Sequence, residues 1–596
     1  MKKQVPLYLL CIVCLLSLFL FLGEAFFNTR GEPREAIVAY SMLEHGNWIL
    51  PVNNGDEIAF KPPFLHWCIA ALSWLAGGVS EFTARFPSAL SLSLMTLAVY
   101  AFYARRRGTE LALLTALLTL SNFEVHRAGM ACRVDMLLAA LMVGALLALF
   151  RWSEGHERGV PWVAWLCLSG AALTKGPVGA LLPCAVTGVY LLLRGRSLWY
   201  AFWRLALLAV ASLLPLGMWY YFAYCEPHGG ARFLGLIYEE NVLRLIGKMS
   251  YESHVNPWPY NVMTVLTGFV PYTLILLFLL PAAGRALGRR FARRSKADTT
   301  VGRWWQAVQA WAVGRWQWLR SMDDARLFSL LSAVIIFVFY CIPKSKRSTY
   351  LLPIYPFVAY FVAEGLLWLR SRRPRVLLVF GRTLVVLSGV ITVAFLLVKG
   401  GAVRTEWLGG SHAAENMAYL AALRDTHLSF LQILAVVAPV ATAGWFLIKS
   451  TFAERTTHPT HWPAAIAGMA LGLFFALDGF YLPAVLNVKS DRAVARQIAA
   501  IQPEGTIYSY RSDVLEANRM HPFTINFYLD DRIIPIDKAP VPPRGGLLVT
   551  GDEEIENFRR AYPQYDTLLL LDSGHRSCDD KKVVKLYAFS ERVIQK

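Results

Sequence analysis

The residues of this chain that could do chemistry are charged groups set beside apolar runs. Arg30, Glu32, Arg34, Lys61, His66, Arg127, Arg133, Asp135, Lys175, Glu239, Glu240, Arg244, His254, Lys344, Lys346 and Arg347 come from at least five separate segments. Several sit in short turns next to stretches too apolar for a soluble surface. An ionisable group at that depth is costly unless it is paired or faces a wet cavity, so each is a functional candidate. Lysines and arginines converging there would grip an anionic phosphate. Carboxylates among them would serve as a general base or ligate a cation.

The elements that must position these groups are membrane spans. Hydrophobic residues make up 56% of the 596 and charged residues 17%, against about 25% in an ordinary soluble domain. Mean hydropathy is +0.42. Uncharged runs such as Val5–Gly23, Leu205–Ala223 and Leu428–Ile448 are each close to the ~20 residues that cross a bilayer. The chain therefore reads as a polytopic α-helical membrane protein. Its spans fall near 5–23, 86–104, 109–122, 134–151, 161–174, 177–193, 199–224, 258–283, 326–343, 348–369, 376–399, 429–448 and 463–485, about thirteen in all.

With the N-terminus cytoplasmic, the densest basic clusters fall inside, as retention of Lys and Arg in cytoplasmic loops requires. They are Arg105 to Arg107, Arg194 and Arg196, the Arg285–Lys296 group, and Arg370 to Arg375. The formal charge of +18 is thus a topology signal and not a nucleic-acid face. The same threading puts the candidates above on the outer face, together with a first outer loop of about 28–85. Residues 1–486 then form the membrane domain of a bacterial inner-membrane protein, and 487–596 a small periplasmic α/β domain. In that tail Arg496–Gln502, Thr506–Tyr510, Thr524–Leu529 and Leu547–Thr550 alternate helix-like and strand-like patterns, and Thr567–Leu571 reads as a buried strand. His575, Asp579 and Asp580 read as solvated loop residues. Residues 297–325, rich in Trp and basic residues, read as an interfacial segment. The nine cysteines show no metal or disulfide spacing; Cys225 and Cys578 alone fall in loops or the tail, where one bridge between them could form.

The first outer loop carries Gly31-Glu32-Pro33-Arg34-Glu35-Ala36, then Gly46-Asn47-Trp48 with Pro51, then Phe60-Lys61-Pro62-Pro63. Further along come Gly129 to Met136, Leu173-Thr174-Lys175-Gly176-Pro177 and Ser345 to Pro353. In order and spacing these stretches resemble the polyprenyl-phosphate-dependent membrane glycosyltransferases that include the aminoarabinose transferases and the protein O-mannosyltransferases, with the GT-C fold. That family carries Asp-Glu-x-Arg, Gly-(Asn/Asp)-Trp…Pro and Lys-Pro motifs in its first outer loop. Two positions depart from it. Gly31 stands where the family has its first acidic residue, which leaves Glu32 or a residue of another loop as the carboxylate. Phe60 stands where the aminoarabinose transferases have a glutamate implicated in metal binding.

The resemblance implies transfer of a sugar from a polyprenyl (undecaprenyl) phosphate donor to a hydroxyl or phosphate of a lipid, glycan or protein acceptor, lipid A among them, with no nucleic acid involved. Glu32 and Asp135 are then the catalytic candidates, and Lys61, Arg244, Lys344, Lys346 and Arg347 the ligands of the donor phosphate. Arg34, Arg133, Lys175, Glu239 and Glu240 support them. No cofactor is required by the residues themselves; a divalent metal, with His254 as ligand, is implied only by family analogy. His66-Trp67 reads as interfacial packing. Two other classes fit the same cations: a transporter or flippase of polyprenyl-linked sugars, and a non-catalytic binder. Polar residues concentrated at one face, with an added outer domain, favour the enzyme over a transporter with its site at mid-membrane.

Overall fold

Local signals set where the helices begin. Ser80 accepts a hydrogen bond from the Thr83 N–H at 3.2 Å while the Thr83 hydroxyl accepts from the Ser80 N–H at 2.9 Å, a capping box that starts the helix Glu81–Arg106. Asn122 and Asp323 cap Phe123–Gly129 and Asp324–Cys341 in the same way through a single acceptor. In this computed structural model the described residues are 5–55, 57–59, 61–227, 229–243, 255–279, 314, 317–404, 413–455, 461–510, 522–536, 542, 544–580 and 582–592.

Among them eight helices are long and apolar enough to cross a membrane. They are Glu81–Arg106, Val134–Glu154, Leu198–Cys225, Asp324–Cys341, Ser348–Arg372, Pro374–Lys399, Phe430–Thr451 and Trp462–Lys489. The pair Tyr260–Gly268 and Tyr272–Leu279, bent by 101°, makes a ninth if it is one span. The remaining four expected spans are helices too, at Val5–Phe19, Thr109–Leu120, Trp162–Lys175 and Val178–Leu193. At 12 to 16 residues they fall short of the ~20 that cross a bilayer, so a count of thirteen is not established. Most of the interfacial reading of 297–325, and the basic cluster 285–296, lie outside the described residues.

The bundle's two ends differ in chemistry. At one end Arg106 pairs with Glu154, Arg107 with Glu364 at 2.9 Å, Arg194 with Asp324, and Arg370 with Glu110. The basic clusters used to thread the chain thus meet one another. At the other end the first outer loop is folded, not open. It forms the helix Gly31–His45, a short hairpin of β1 (Val52–Asn53) and β2 (Glu57–Ile58), and the helix Phe64–Ala76.

The small C-terminal sheet has the order β4-β3-β5-β7-β6, with β3 Ile507–Ser509, β4 Ile533–Pro535, β5 Gly546–Thr550, β6 Tyr565–Arg576 and β7 Val583–Glu591. β3 runs parallel to β4 and β5; β7 is antiparallel to β5 and β6. The expected helix and strand segments of the tail are present, with one correction. Leu568, Leu569 and Leu570, which alternate between the two faces of the edge strand β6, are all exposed. The sheet domain sits directly on the outer loop. Phe527 packs edge-on against Phe27 at 4.8 Å, and the Tyr528 hydroxyl donates to Glu81 at 2.7 Å while accepting from the Phe27 N–H at 3.1 Å. Truncating the buried Phe527 to Ala is expected to cost about 3 kcal/mol of stability. Thermal melting, with hydrogen exchange localised to Phe523–Tyr528, measures it; an unchanged melt would show that this contact contributes little.

Candidate active site

The helix Gly31–His45 places two carboxylates one turn apart, three residues being close to a full turn. They meet different fates. Glu32 turns into the bundle, where Arg85 from the span Glu81–Arg106 grips it with two bonds, Nε to Oε1 at 2.8 Å and Nη2 to Oε2 at 3.1 Å. The Cys132 N–H adds a third at 2.8 Å, and the remaining Arg85 nitrogen donates to the carbonyls of Leu22 and Ala25. Burial disfavours the charge on Glu32, but the Arg85 guanidinium and the Cys132 amide outweigh it and hold the carboxyl below its usual range. Only 7% of Glu32 is exposed, and it does not line the neighbouring cavity.

Glu35 does line it. Its Oε1 accepts from Lys61 and, at 3.1 Å, from Arg34; its Oε2 lies 2.9 Å from His66 Nε2. Burial again opposes the charge, and Lys61, His66 and Arg34 together press the carboxyl well below its usual range. The Lys61 ammonium is moved the other way. Burial and the facing Arg34 charge lower it to about 8, with Glu35 and the more distant Asp135 resisting. Arg34, Asn53, Glu57 and Lys61 rim the cavity, whose volume is about 40 Å³, space for a water.

A second cluster adjoins it. Asp135, in the first turn of Val134–Glu154, pairs with Lys175 at the end of Trp162–Lys175, and the Lys175 ammonium lies 4.4 Å from the centre of the Tyr350 ring. Arg133 acts on Asp135 through its charge, as the sequence allowed, but the direct ion pair of Asp135 is with Lys175. The Arg133 guanidinium lies against Gly31, where an added Cβ would come within 2.7 Å of Nη2. Arg34 also feels Glu57 and Glu240, which brings the turn Glu239–Leu243 to this edge.

The run Lys344–Arg347 is held by Val255 and Asn256. Val255 bridges Ser345, and the Lys346 ammonium donates to the Asn256 carbonyl at 3.1 Å. Lys346 is 94% buried, so it reads here as a brace for the turn; Lys344 is exposed and Arg347 half-buried. Arg244 and His254 lie outside the described residues. A metal at the family's position fits poorly with the residues present: Phe60 brings no donor atom, and Glu35 already accepts from Lys61, Arg34 and His66.

The comparisons with known proteins follow the same line. The sequence pattern of the dolichyl-phosphate-mannose-protein mannosyltransferase family matches residues 60–220. An Aquifex aeolicus protein described only as uncharacterized is 25% identical over 94% of this chain and 93% of its own length. An undecaprenyl phosphate-alpha-4-amino-4-deoxy-L-arabinose arabinosyl transferase of Proteus mirabilis is 25% identical over 65% of each chain, just under two thirds of that relative. The crystal structure of ArnT from Cupriavidus metallidurans bound to undecaprenyl phosphate superposes with a TM-score of 0.67 over 98% of both chains, at 22% identity. The chain has the GT-C fold of that structure.

Three residues of the candidate site escaped the sequence reading. Glu35 was overlooked beside Glu32 because the motif drew attention to its acidic second position; the spacing of three, on a helix, was the available signal. Arg85 sat at the start of an apolar span, where a buried arginine demands a partner. His66 was taken as packing, yet it is 1% exposed and bonded to Glu35. Because Glu32 is the sole carboxylate bonding Arg85 among the described residues, Glu32→Gln strands a buried guanidinium and is expected to cost about 3–5 kcal/mol. A sharp loss of melting temperature and folded yield is the outcome to look for. A normally stable Glu32→Gln protein that has lost activity would return Glu32 to a catalytic role.

Proposed function

We propose that this transferase moves a sugar from a polyprenyl phosphate to an acceptor hydroxyl or phosphate at the periplasmic face of the bacterial inner membrane. Lipid A, another envelope lipid, a glycan or a protein would be the acceptor. The observation that carries the reading is the shared bond between Lys61 and Glu35 on the cavity wall. The donor's phosphate competes with Glu35 for the Lys61 ammonium. Once Lys61 turns to phosphate, Glu35 Oε1 regains a free lone pair beside the reacting centre, while Arg34 and His66 keep the carboxylate oriented.

The acceptor oxygen then attacks the anomeric carbon and passes its proton to Glu35. The bond from that carbon to the phosphate oxygen breaks, and its electron pair stays on the polyprenyl phosphate. Lys61 and Arg34 stabilise the negative charge growing there, in surroundings of low dielectric where a fixed cation counts for more than in water. Asp135 and Lys175 form a second latch of the same kind, so that a sugar hydroxyl or a phosphate oxygen reaching Lys175 would free Asp135. In this scheme Glu35 takes the base role first given to Glu32. The relatives named for undecaprenyl phosphate-linked aminoarabinose support a donor of that class.

Label from a polyprenyl-phosphate sugar should appear covalently in envelope lipid, glycan or protein when the purified chain is present. Movement of the donor across vesicles without transfer would support a flippase instead. Glu35→Gln and Lys61→Ala are each expected to lower transfer by at least about 10²-fold with melting temperature little changed. The pH profile follows from Lys61. Its ammonium is present below about 8 and lost above it. kcat/KM for the donor should therefore hold level up to that point and fall roughly tenfold per unit beyond it. The bound phosphate favours the ammonium, so kcat should fall only at higher pH. Lys61→Arg should push the kcat/KM limb upward, and a wild-type profile that stays flat well above 8 would remove Lys61 from donor binding.

A further inference from the structure

A second cluster of chemically able side chains lies away from the site, at the joint between the membrane bundle and the sheet domain. Asp491 directly precedes the helix Arg492–Ile501, where the chain leaves its last membrane helix. Facing it are the end of β6, which carries His575, and the turn after it, which carries Cys578 and Asp579. One ligand atom each of Asp491, Cys578 and Asp579 lie within 4.8 Å of one another. His575 Nε2 lies 3.6 Å from Asp491 Oδ1, too far for a hydrogen bond. The sequence reading of His575 and Asp579 as solvated loop residues is corrected here: Asp579 is bonded through both oxygens to Thr524, at 2.7 and 2.8 Å, and His575 through Nδ1 to Ser573.

Two observations point to a ligand. Asp491 is 1% exposed, and its Oδ1 has no hydrogen-bond partner among the described residues, although Oδ2 accepts from Ser577 and the Cys578 N–H. His575 donates from Nδ1 to the Ser573 carbonyl at 2.7 Å, which leaves Nε2 bare, buried and aimed at that same oxygen. An imidazole fixed by a carbonyl on one nitrogen and open on the other is how histidine is presented to a metal. Around a tetrahedral ion with bonds of about 2.0–2.3 Å, ligand atoms sit roughly 3.3–3.8 Å apart. The 3.6 Å gap from His575 Nε2 to Asp491 Oδ1 falls in that range, while the Cys578 thiol donates to the other oxygen, Oδ2, at 3.3 Å.

We propose that Asp491, His575, Cys578 and Asp579 bind a zinc ion that ties the entry of the sheet domain, just after the last membrane helix, to its β6–β7 turn. The donor set of one nitrogen, one sulfur and two carboxylates selects zinc over calcium or magnesium, which take oxygen alone. Binding displaces the Cys578 thiol proton to solvent, and the thiolate becomes the ligand. The clamp's mechanical reach is short. Asp579 holds Thr524 at the start of the helix Phe523–Tyr528, and that helix packs on Gly31–His45, which bears Glu35. Asp580 adds an ion pair to Arg30 at 3.7 Å, the residue before Gly31.

The test uses the full-length protein in detergent, stripped with EDTA and titrated with zinc alone, then with cobalt as a spectroscopic substitute. The expected result is about one tight equivalent per chain, a rise in melting temperature with zinc, and slower hydrogen exchange in Phe523–Tyr528. Cobalt should give a thiolate-to-metal charge-transfer band that Cys578→Ser abolishes. His575→Gln, at a partly exposed position and expected to fold, should weaken zinc binding at least tenfold. Failure to bind zinc would overturn the proposal and leave His575 and Asp491 as an ordinary ion pair. So would a cobalt band that survives in Cys578→Ser, or zinc affinity unchanged in His575→Gln.

Discussion

The bidentate bond between Glu32 and Arg85 is the constraint on which the outer face is built. Both partners are more than 90% buried, so neither charge has water to fall back on and each must keep the other. Every nitrogen of Arg85 is engaged: Nε and Nη2 donate to Glu32, and Nη1 to the carbonyls that end the first helix region, at Leu22 and Ala25. The amide of Cys132 adds a third bond to the carboxylate. Three segments far apart in the chain are pinned at one point: the exit of the first helix, the start of Gly31–His45, and the loop before Val134–Glu154. Once that point is fixed the helix has a single rotation, and Glu35 must face the cavity while Arg34 lies along its rim.

A different economy governs the cavity. Lys61 with Glu35 and Lys175 with Asp135 are pairs between a flexible lysine and a fixed carboxylate. Arginine would hold such a carboxylate through two directed bonds; lysine offers a point charge on a long stem and can be drawn off by a stronger anion. The distribution of residue types therefore separates bonds meant to last from bonds meant to exchange. Arg85 serves the first purpose and Lys61 and Lys175 the second. Resting as ion pairs also spares the lysines the desolvation cost of an unpaired charge at membrane depth.

Much of this was legible in the sequence, and the failures share a cause. Span positions followed from uninterrupted apolar runs, and the basic clusters at 105–107, 194 and 370 were assigned to one side, where the structure shows them exchanging ion pairs. Asp135, Lys61 and Lys175 were singled out because a charge beside an apolar run is expensive. Pairing was not legible. Nothing in Gly31 to Glu35 says which carboxylate meets an arginine 53 residues on and which meets a lysine 26 on, since both are decided by helix rotation. Cys578 was read only as a possible bridge partner of Cys225, and both are free; its real neighbour, Asp491, lies 87 residues earlier and meets it only through the sheet. Thr567–Leu571 was read as buried from its leucines alone, but burial of a strand depends on what covers it.

The sheet domain's bearing on the candidate site follows from how little the outer loop can do alone. β1 and β2 have two residues each, far below what an isolated hairpin needs, yet they carry Asn53 and Glu57 of the cavity rim. Their turn is held from outside. The Asn54 side-chain oxygen accepts from Asn526 at 2.5 Å, and its backbone N–H donates to Asp531 at 3.1 Å. Gly55, with φ +80°, lies against Ile534 and Pro535 so closely that a Cβ would come within 2.9 Å of the isoleucine. No side chain would fit there, and few residues would adopt that backbone. The hairpin's shape is thus set by contacts whose other half belongs to the sheet domain. The distance from Glu57 and Asn53 to Lys61 then depends on how that domain sits. A domain with no reactive group near the cavity can in this way decide the cavity's geometry.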